Sequence, residues 1–191
     1  MPSWTDQPPT SAANYPLRIL RTPAKGTITA IVTSTELQGC PTHYCNNRTV
    51  PCEGADTCKL CADGYSWRWH GYVACILKNS LEHILFEFTA AASDTFRNYI
   101  ALHNEIRGCL FKASRPSGRP NGRVVIEASP ADLSRLHLPN PPNIRKILCH
   151  IWGIQYQEPD YRRMPRPPYQ DARPKLDGNG EDSHREKQLL E

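Results

Sequence analysis

Six metal-type side chains, Cys40, His43, Cys45, Cys52, Cys58 and Cys61, fall within 22 consecutive positions. Cys58 and Cys61 form a CxxC pair, whose short turn holds two thiolates at the separation that one tetrahedral Zn²⁺ requires. His43 and Cys52 complete a four-ligand set of one imidazole and three thiolates. Sets in which Cys40 or Cys45 joins Cys52, Cys58 and Cys61 satisfy the same rule, and spacing leaves that choice open. A closed four-ligand shell has no position for an activated water, so the expected role of the zinc is structural. Deaminase chemistry needs a His-x-Glu ahead of its cysteines, and the residue two beyond His43 is Cys45. Neither a carboxylate cluster nor a Ser/His/Asp set nor a phosphate-cradling glycine loop stands out, so the expectation is a protein without enzymatic activity.

The elements that must position these ligands read mainly as strands. The run Gly26–Ser34 (GTITAIVTS) is rich in β-branched residues and places Ile28, Ala30 and Val32 on one face. Trp67–Leu77 (WRWHGYVACIL) and ILFEFTA from Ile84 follow as strands. A helix is predicted over DTFRNYIALHNEI behind an N-cap at Ser93, with Phe96, Tyr99, Ile100, His103 and Ile106 along one face. RGCLFKAS and GRVVIEAS then make a strand pair around a Pro/Gly loop that contains Asn121-Gly122. A short helix is expected in PPNIRKILCHIWG, beginning after two prolines, ending at Gly153 and packing on the barrel or on a partner. Cys75 and Cys109 fall in strands and Cys149 in this helix, where free thiols act as small core hydrophobes.

With 191 residues the chain has length for one full core plus tails. The expected layout is a loose arm over 1–16, a domain over 17–130 carrying a zinc module at 36–66, a helical extension over 131–156 and a disordered tail over 157–191. That tail is basic at first, with Arg162, Arg163, Arg166, Arg173 and Lys175, and then acidic to Glu191. The opening residues lack a basic stretch leading into an apolar run, and no segment approaches the ~18 apolar residues of a membrane span. A cytoplasmic protein with reduced cysteines and no membrane association is therefore expected. The net charge of +4 is too mild to specify a nucleic-acid partner by itself.

Five strands with a helix between the third and fourth is the order of an OB-fold barrel. With the insert HYCNNRTVPCEGADTCKLC between the first two strands, the chain resembles zinc-containing OB-fold single-stranded DNA-binding proteins, above all the zinc-bearing domain in the large subunit of replication protein A. It is also similar to uncharacterised bacterial and phage proteins with a His, then RTVPC, a CxxC and an RW-GY strand. The resemblance spans residues 17 to 130. It implies a single-stranded DNA-binding protein of replication, recombination, repair or a mobile element, with RNA as a second ligand and a protein partner on the tail.

Single-strand binding needs aromatic faces for bases and cations along the phosphates. Arg68, His70 and Tyr72 alternate on one face of the second strand, opposite Trp67 and Trp69, so one set lines the core and the other faces ligand, and periodicity leaves that choice open. Arg107, Lys112, Arg115, Arg119 and Arg123 flank the later hairpin with no acidic residue among them, in a loop of the kind OB-folds use against oligonucleotides. The alternative is a zinc-containing adaptor that docks proteins and does not touch nucleic acid.

Overall fold

A computed structural model describes residues 17–46, 48–54 and 56–158. The expected arm at 1–16 and the tail from 159 onward lie outside the described residues. The chain divides after Tyr156 into two units, and every element below belongs to the first. In chain order these are β1 (Ile19–Arg21), β2 (Thr27–Val32), β3 (Gln38–Cys45), β4 (Arg48–Pro51), α1 (Lys59–Ala62), β5 (Trp67–Leu77), β6 (His83–Thr89), α2 (Ala90–His103), β7 (Cys109–Ser114), β8 (Val125–Pro130) and α3 (Ile144–Trp152).

The fold is β-dominated, as expected, but it is an open sheet of eight strands among the described residues, where the pattern predicts a five-stranded OB-fold barrel. The main path runs β1-β6-β5-β2-β7-β8, with β3 attached to β5 and β4 to β3. Strand β5 is long enough to serve two partners on one edge: Cys75–Leu77 pair with β2, and Trp67–Tyr72 pair with β3. Strand β2 in turn bonds antiparallel to β7. The parallel edge strand β1 sits on β6.

Alternation along β5 sends its side chains to two different cores. Val73 and Cys75 join Ile28, Ala30, Val32, Phe86, Phe88 and Phe111 beneath α2, which contributes Phe96 and Tyr99. The rings of Phe86, Phe96 and Phe111 pack at centroid distances of 4.8 and 5.3 Å, within the range where aromatic pairs attract. On the opposite face Tyr72, Ala74 and Leu85 are covered by Ile144 and Leu148 of α3. This helix is capped by Asn143, whose side chain accepts from the Lys146 amide at 2.9 Å, and it stops at Gly153 with φ 70°. It therefore packs on the sheet. Cys75 and Cys109 are fully buried, whereas Cys149 is half-buried.

Helix α2 begins earlier than its sequence signal. Thr89 occupies the N-cap position without a side-chain bond, and the Ser93 hydroxyl donates to the Ala90 carbonyl at 2.6 Å inside the first turn. The helix ends at Asn104, φ 63°, so Ile106 reaches the core from the loop that follows.

One packing choice at the edge of this framework has a pH signature. His83 Nε2 lies 2.7 Å from Thr33 Oγ1, and burial, aided by the Arg107 charge, holds its pKa below the usual histidine value. The unfolded chain then binds a proton that the folded chain resists, so His83 lowers stability as pH falls below about 6.5, and the loss levels off below the folded-state pKa. Urea unfolding of wild type and His83→Gln at pH 7.5 and pH 5.5 is expected to show the variant gaining relative stability at the lower pH. A pH-independent difference would contradict it.

Candidate metal centre and nucleic-acid interface

The strands β3 and β4 form a hairpin in which Cys45 pairs with Arg48 and Thr42 with Pro51. Its turn uses Asn46 at φ 49°, a left-handed conformation that asparagine tolerates better than most residues. The chain leaves β4 through Cys52, whose amide still donates to the Pro41 carbonyl at 2.9 Å, and so holds the Cys52 thiol beside β3. Cys58 is the N-cap of α1 and Cys61 lies within it, so one helical turn presents both thiols together.

These pieces bring His43, Cys52, Cys58 and Cys61 into one cluster, with all four ligand atoms within 4.8 Å of one another. Cys58 Sγ and Cys61 Sγ lie 3.4 and 3.5 Å from His43 Nε2, and Cys52 Sγ lies 3.6 Å from Cys61 Sγ. A tetrahedral ion with bonds of about 2.3 Å to sulfur and about 2.1 Å to nitrogen demands edges of about 3.8 Å between sulfurs and about 3.6 Å between sulfur and nitrogen. The cluster can hold a metal ion, and its dimensions and donor set are compatible with zinc.

The imidazole is oriented for the task. His43 is 1 % exposed, and its Nδ1 lies 3.3 Å from the Ser66 carbonyl, which can only accept. Nδ1 therefore carries the proton and Nε2 turns its lone pair toward the thiols, the outer-shell arrangement typical of ligating histidines. Backbone hydrogen bonding, led by Glu53 and then Cys61, lowers the Cys58 thiol to about 6. Desolvation and the crowding thiols of Cys52 and Cys58 push Cys61 to about 11. Three thiols this close favour a bound cation once they ionise.

The alternative ligands are elsewhere. Cys40 packs against the α3 core, and burial, with Glu87 and Cys149 nearby, raises its thiol to about 11. Cys45 sits at the far end of the hairpin, opposite Arg48.

The residues expected to meet nucleic acid are dispersed. Tyr72 is fully buried, with its hydroxyl donating to Glu87 at 3.1 Å and its ring edge-on to Trp152 at 6.0 Å, so it has no face for a base. His70 is half-buried against Thr42 Oγ1 at 2.6 Å, and burial lowers its pKa. Arg107 donates to the carbonyls of Thr33, Leu138 and Pro139, and Arg115 to those of Thr22 and Gly122. Both arginines tie loops to the sheet. Arg68, Lys112, Arg119 and Arg123 are exposed, and Lys112 faces Glu127 in the β7–β8 register. The loop between those strands makes two successive turns, Arg115 to Gly118 and Arg119 to Gly122, instead of a tight Asn-Gly hairpin.

Exposed aromatics lie on both faces of the metal module: the register puts Trp67 on the face of His43 and Tyr44 with Arg68 on the other. Trp67 is 56 % exposed, Tyr65 46 % and Tyr44 61 %, in a part of the chain that also exposes Arg48, Lys59 and Arg68. Exposed aromatics together with cations are the chemistry that single-strand binding uses. In the sequence Tyr44 lies inside the cysteine cluster, and Tyr65 and Trp67 follow it. Searches of protein families, curated proteins and solved structures return no match for this chain. Among the described residues no helix is long and apolar enough to cross a membrane.

Proposed function

We propose that this chain is a non-enzymatic binder of single-stranded nucleic acid, built on an OB-type strand order and held in shape by one structural Zn²⁺ on His43, Cys52, Cys58 and Cys61. The observation that carries the reading is an exposed aromatic and an exposed cation on each face of the hairpin's sheet, Trp67 and Arg48 on the face of His43 and Tyr44 and Arg68 on the other. Stacking against such side chains is tolerant of sequence because every base has a π-face. The connectivity supports it as well. Strands β2 and β3 together correspond to the first barrel strand, which bonds to both the second (β5) and the fourth (β7), and α2 falls between the third (β6) and the fourth. Helix α3 lies across β5 and β6, the face on which OB-folds hold oligonucleotides, so the strand is expected along the zinc hairpin instead.

Fluorescence anisotropy with labelled single-stranded DNA, single-stranded RNA and duplex DNA at two salt concentrations tests the proposal. Salt-sensitive preference for single strands is expected, with a loss of about 5- to 100-fold in Trp67→Ala, the size of one base stack. Arg68→Glu should weaken binding further and flatten its salt dependence. The same α3 coverage favours a second reading, the zinc-containing adaptor, in which the module docks a protein. That reading takes over if none of the three nucleic acids binds.

A further inference from the structure

Between β1, β4 and the C-terminal end of α3 lies a cavity of about 520 Å³, within the size range of small-molecule sites. Its walls are of two kinds. Ile19, Ile151 and Trp152 make an apolar and aromatic side, and Arg21, Arg48 and Thr49 make a polar one.

Arg21 is held in place. Its Nε and Nη2 donate to the Glu87 carboxylate at 2.5 and 3.2 Å, and Nη2 also reaches Thr49 Oγ1 at 2.5 Å. Glu87 is itself nearly buried, its side chain 4 % exposed, and takes a third bond from Tyr72. The carboxylate balances the Arg21 charge and fixes its planar fork, and Nη1 is left over. The Arg48 side chain has no ion-pair or hydrogen-bond partner among the described residues, and no carboxylate is among the residues that line the cavity. The cavity therefore carries a surplus positive charge beside an indole, with one guanidinium fixed in advance and the other free to close on a ligand.

We propose that this cavity is a nucleotide subsite, taking a phosphate on Arg48 and Arg21 and a base against Trp152. The inference deepens the single-strand reading, since Arg48 also belongs to the aromatic and cationic surface of the metal module. The same chemistry fits a free mononucleotide or one unit of a strand, and the experiment separates the two sources.

Backbone amide shifts of the full zinc-loaded chain are followed by NMR during titration with inorganic phosphate, with AMP and with a single-stranded oligonucleotide. Arg48→Gln and Ile151→Glu serve as variants. Both sites are exposed, so unchanged melting temperatures are expected. AMP should shift the amides of Arg48, Thr49 and Ile151, bind at least ten-fold more tightly than phosphate, and lose at least ten-fold in either variant. Oligonucleotide binding that survives both variants, with AMP shifting other amides or none, overturns the subsite and leaves the single-strand reading standing. AMP binding that depends on Arg48 without any oligonucleotide binding supports the subsite for free nucleotides and overturns the strand reading. Equal affinity for phosphate and AMP overturns the nucleotide assignment.

Discussion

Stripped of metal by a strong chelator, the chain is expected to lose the ordered structure of residues 36–66 and to melt at a markedly lower temperature, with one equivalent of Zn²⁺ restoring both. The module has little else to hold it. Its helix α1 is a single four-residue turn with no buried residue, far below the length at which a helix is stable in water. Its hairpin pairs with the main sheet through β3 alone, with one side-chain bond from Arg21 to Thr49 besides, and a two-stranded ribbon is marginal by itself. Against that, structural zinc binding is worth an apparent ~10–16 kcal/mol in small zinc modules, free energy that becomes folding free energy. The ligands must be deprotonated, so affinity should fall as pH is lowered and protons should be released on binding.

Ligand identity gives this prediction its sharper form. His43→Ala, Cys52→Ser, Cys58→Ser and Cys61→Ser should each reduce bound zinc measured by elemental analysis and lower the melting temperature, whereas Cys45→Ser should keep a full equivalent. Zinc content that survives loss of Cys58, or a melt indifferent to chelation, would show that these four residues do not form a structural zinc site.

Replacing Gly71 by valine is expected to cost about 2–3 kcal/mol and to loosen the junction between the metal module and the main sheet. A Cβ at Gly71 would sit 2.5 Å from Phe88 Cζ and 2.7 Å from Trp69 Cη2, closer than side chains tolerate. Gly39, its cross-strand partner, is crowded in the same way, with a Cβ placed 2.5 Å from Trp69 Cε2. The indole of Trp69 thus lies over two facing glycines and meets Phe88 edge-on at 6.2 Å, an aromatic covering a gap that backbone alone would leave. If this reading holds, Gly39→Ala should be far less harmful in a Trp69→Leu background, and the double-mutant cycle should yield a large coupling term. Additive losses would show that the indole and the glycines are independent.

The strands whose residues carry their own signal were legible. Thr27–Val32, Trp67–Leu77 and Cys109–Ser114 combine β-branched or aromatic residues with alternation, and their positions follow from that pattern, whereas the pairing of β2 with both β5 and β7 came from the tertiary structure. β1 was missed because three residues are too few to show a period. β3 and β4 were missed because Gly39, Pro41 and Pro51 weaken any strand signal, and they extend because neighbouring strands and the ligand cluster hold them. The start of α2 was misplaced because Ser93, a good cap by type, is one turn inside a helix set by the end of β6.

The CxxC at Cys58 and Cys61, with His43 and Cys52 before it, was readable as a metal set because local spacing alone brings two thiols to one ion. Only the tertiary structure decided that His43 completes the set in place of Cys40 or Cys45: β3 presents alternate residues to opposite faces, which sends Cys40 to the α3 core, and the hairpin carries Cys45 away to its tip. The same alternation buried Tyr72 and exposed Trp67, because β5 is covered by α3 on one face and by α2 on the other only beyond Gly71. A period of two names the faces of a strand; which face is covered depends on elements distant in sequence.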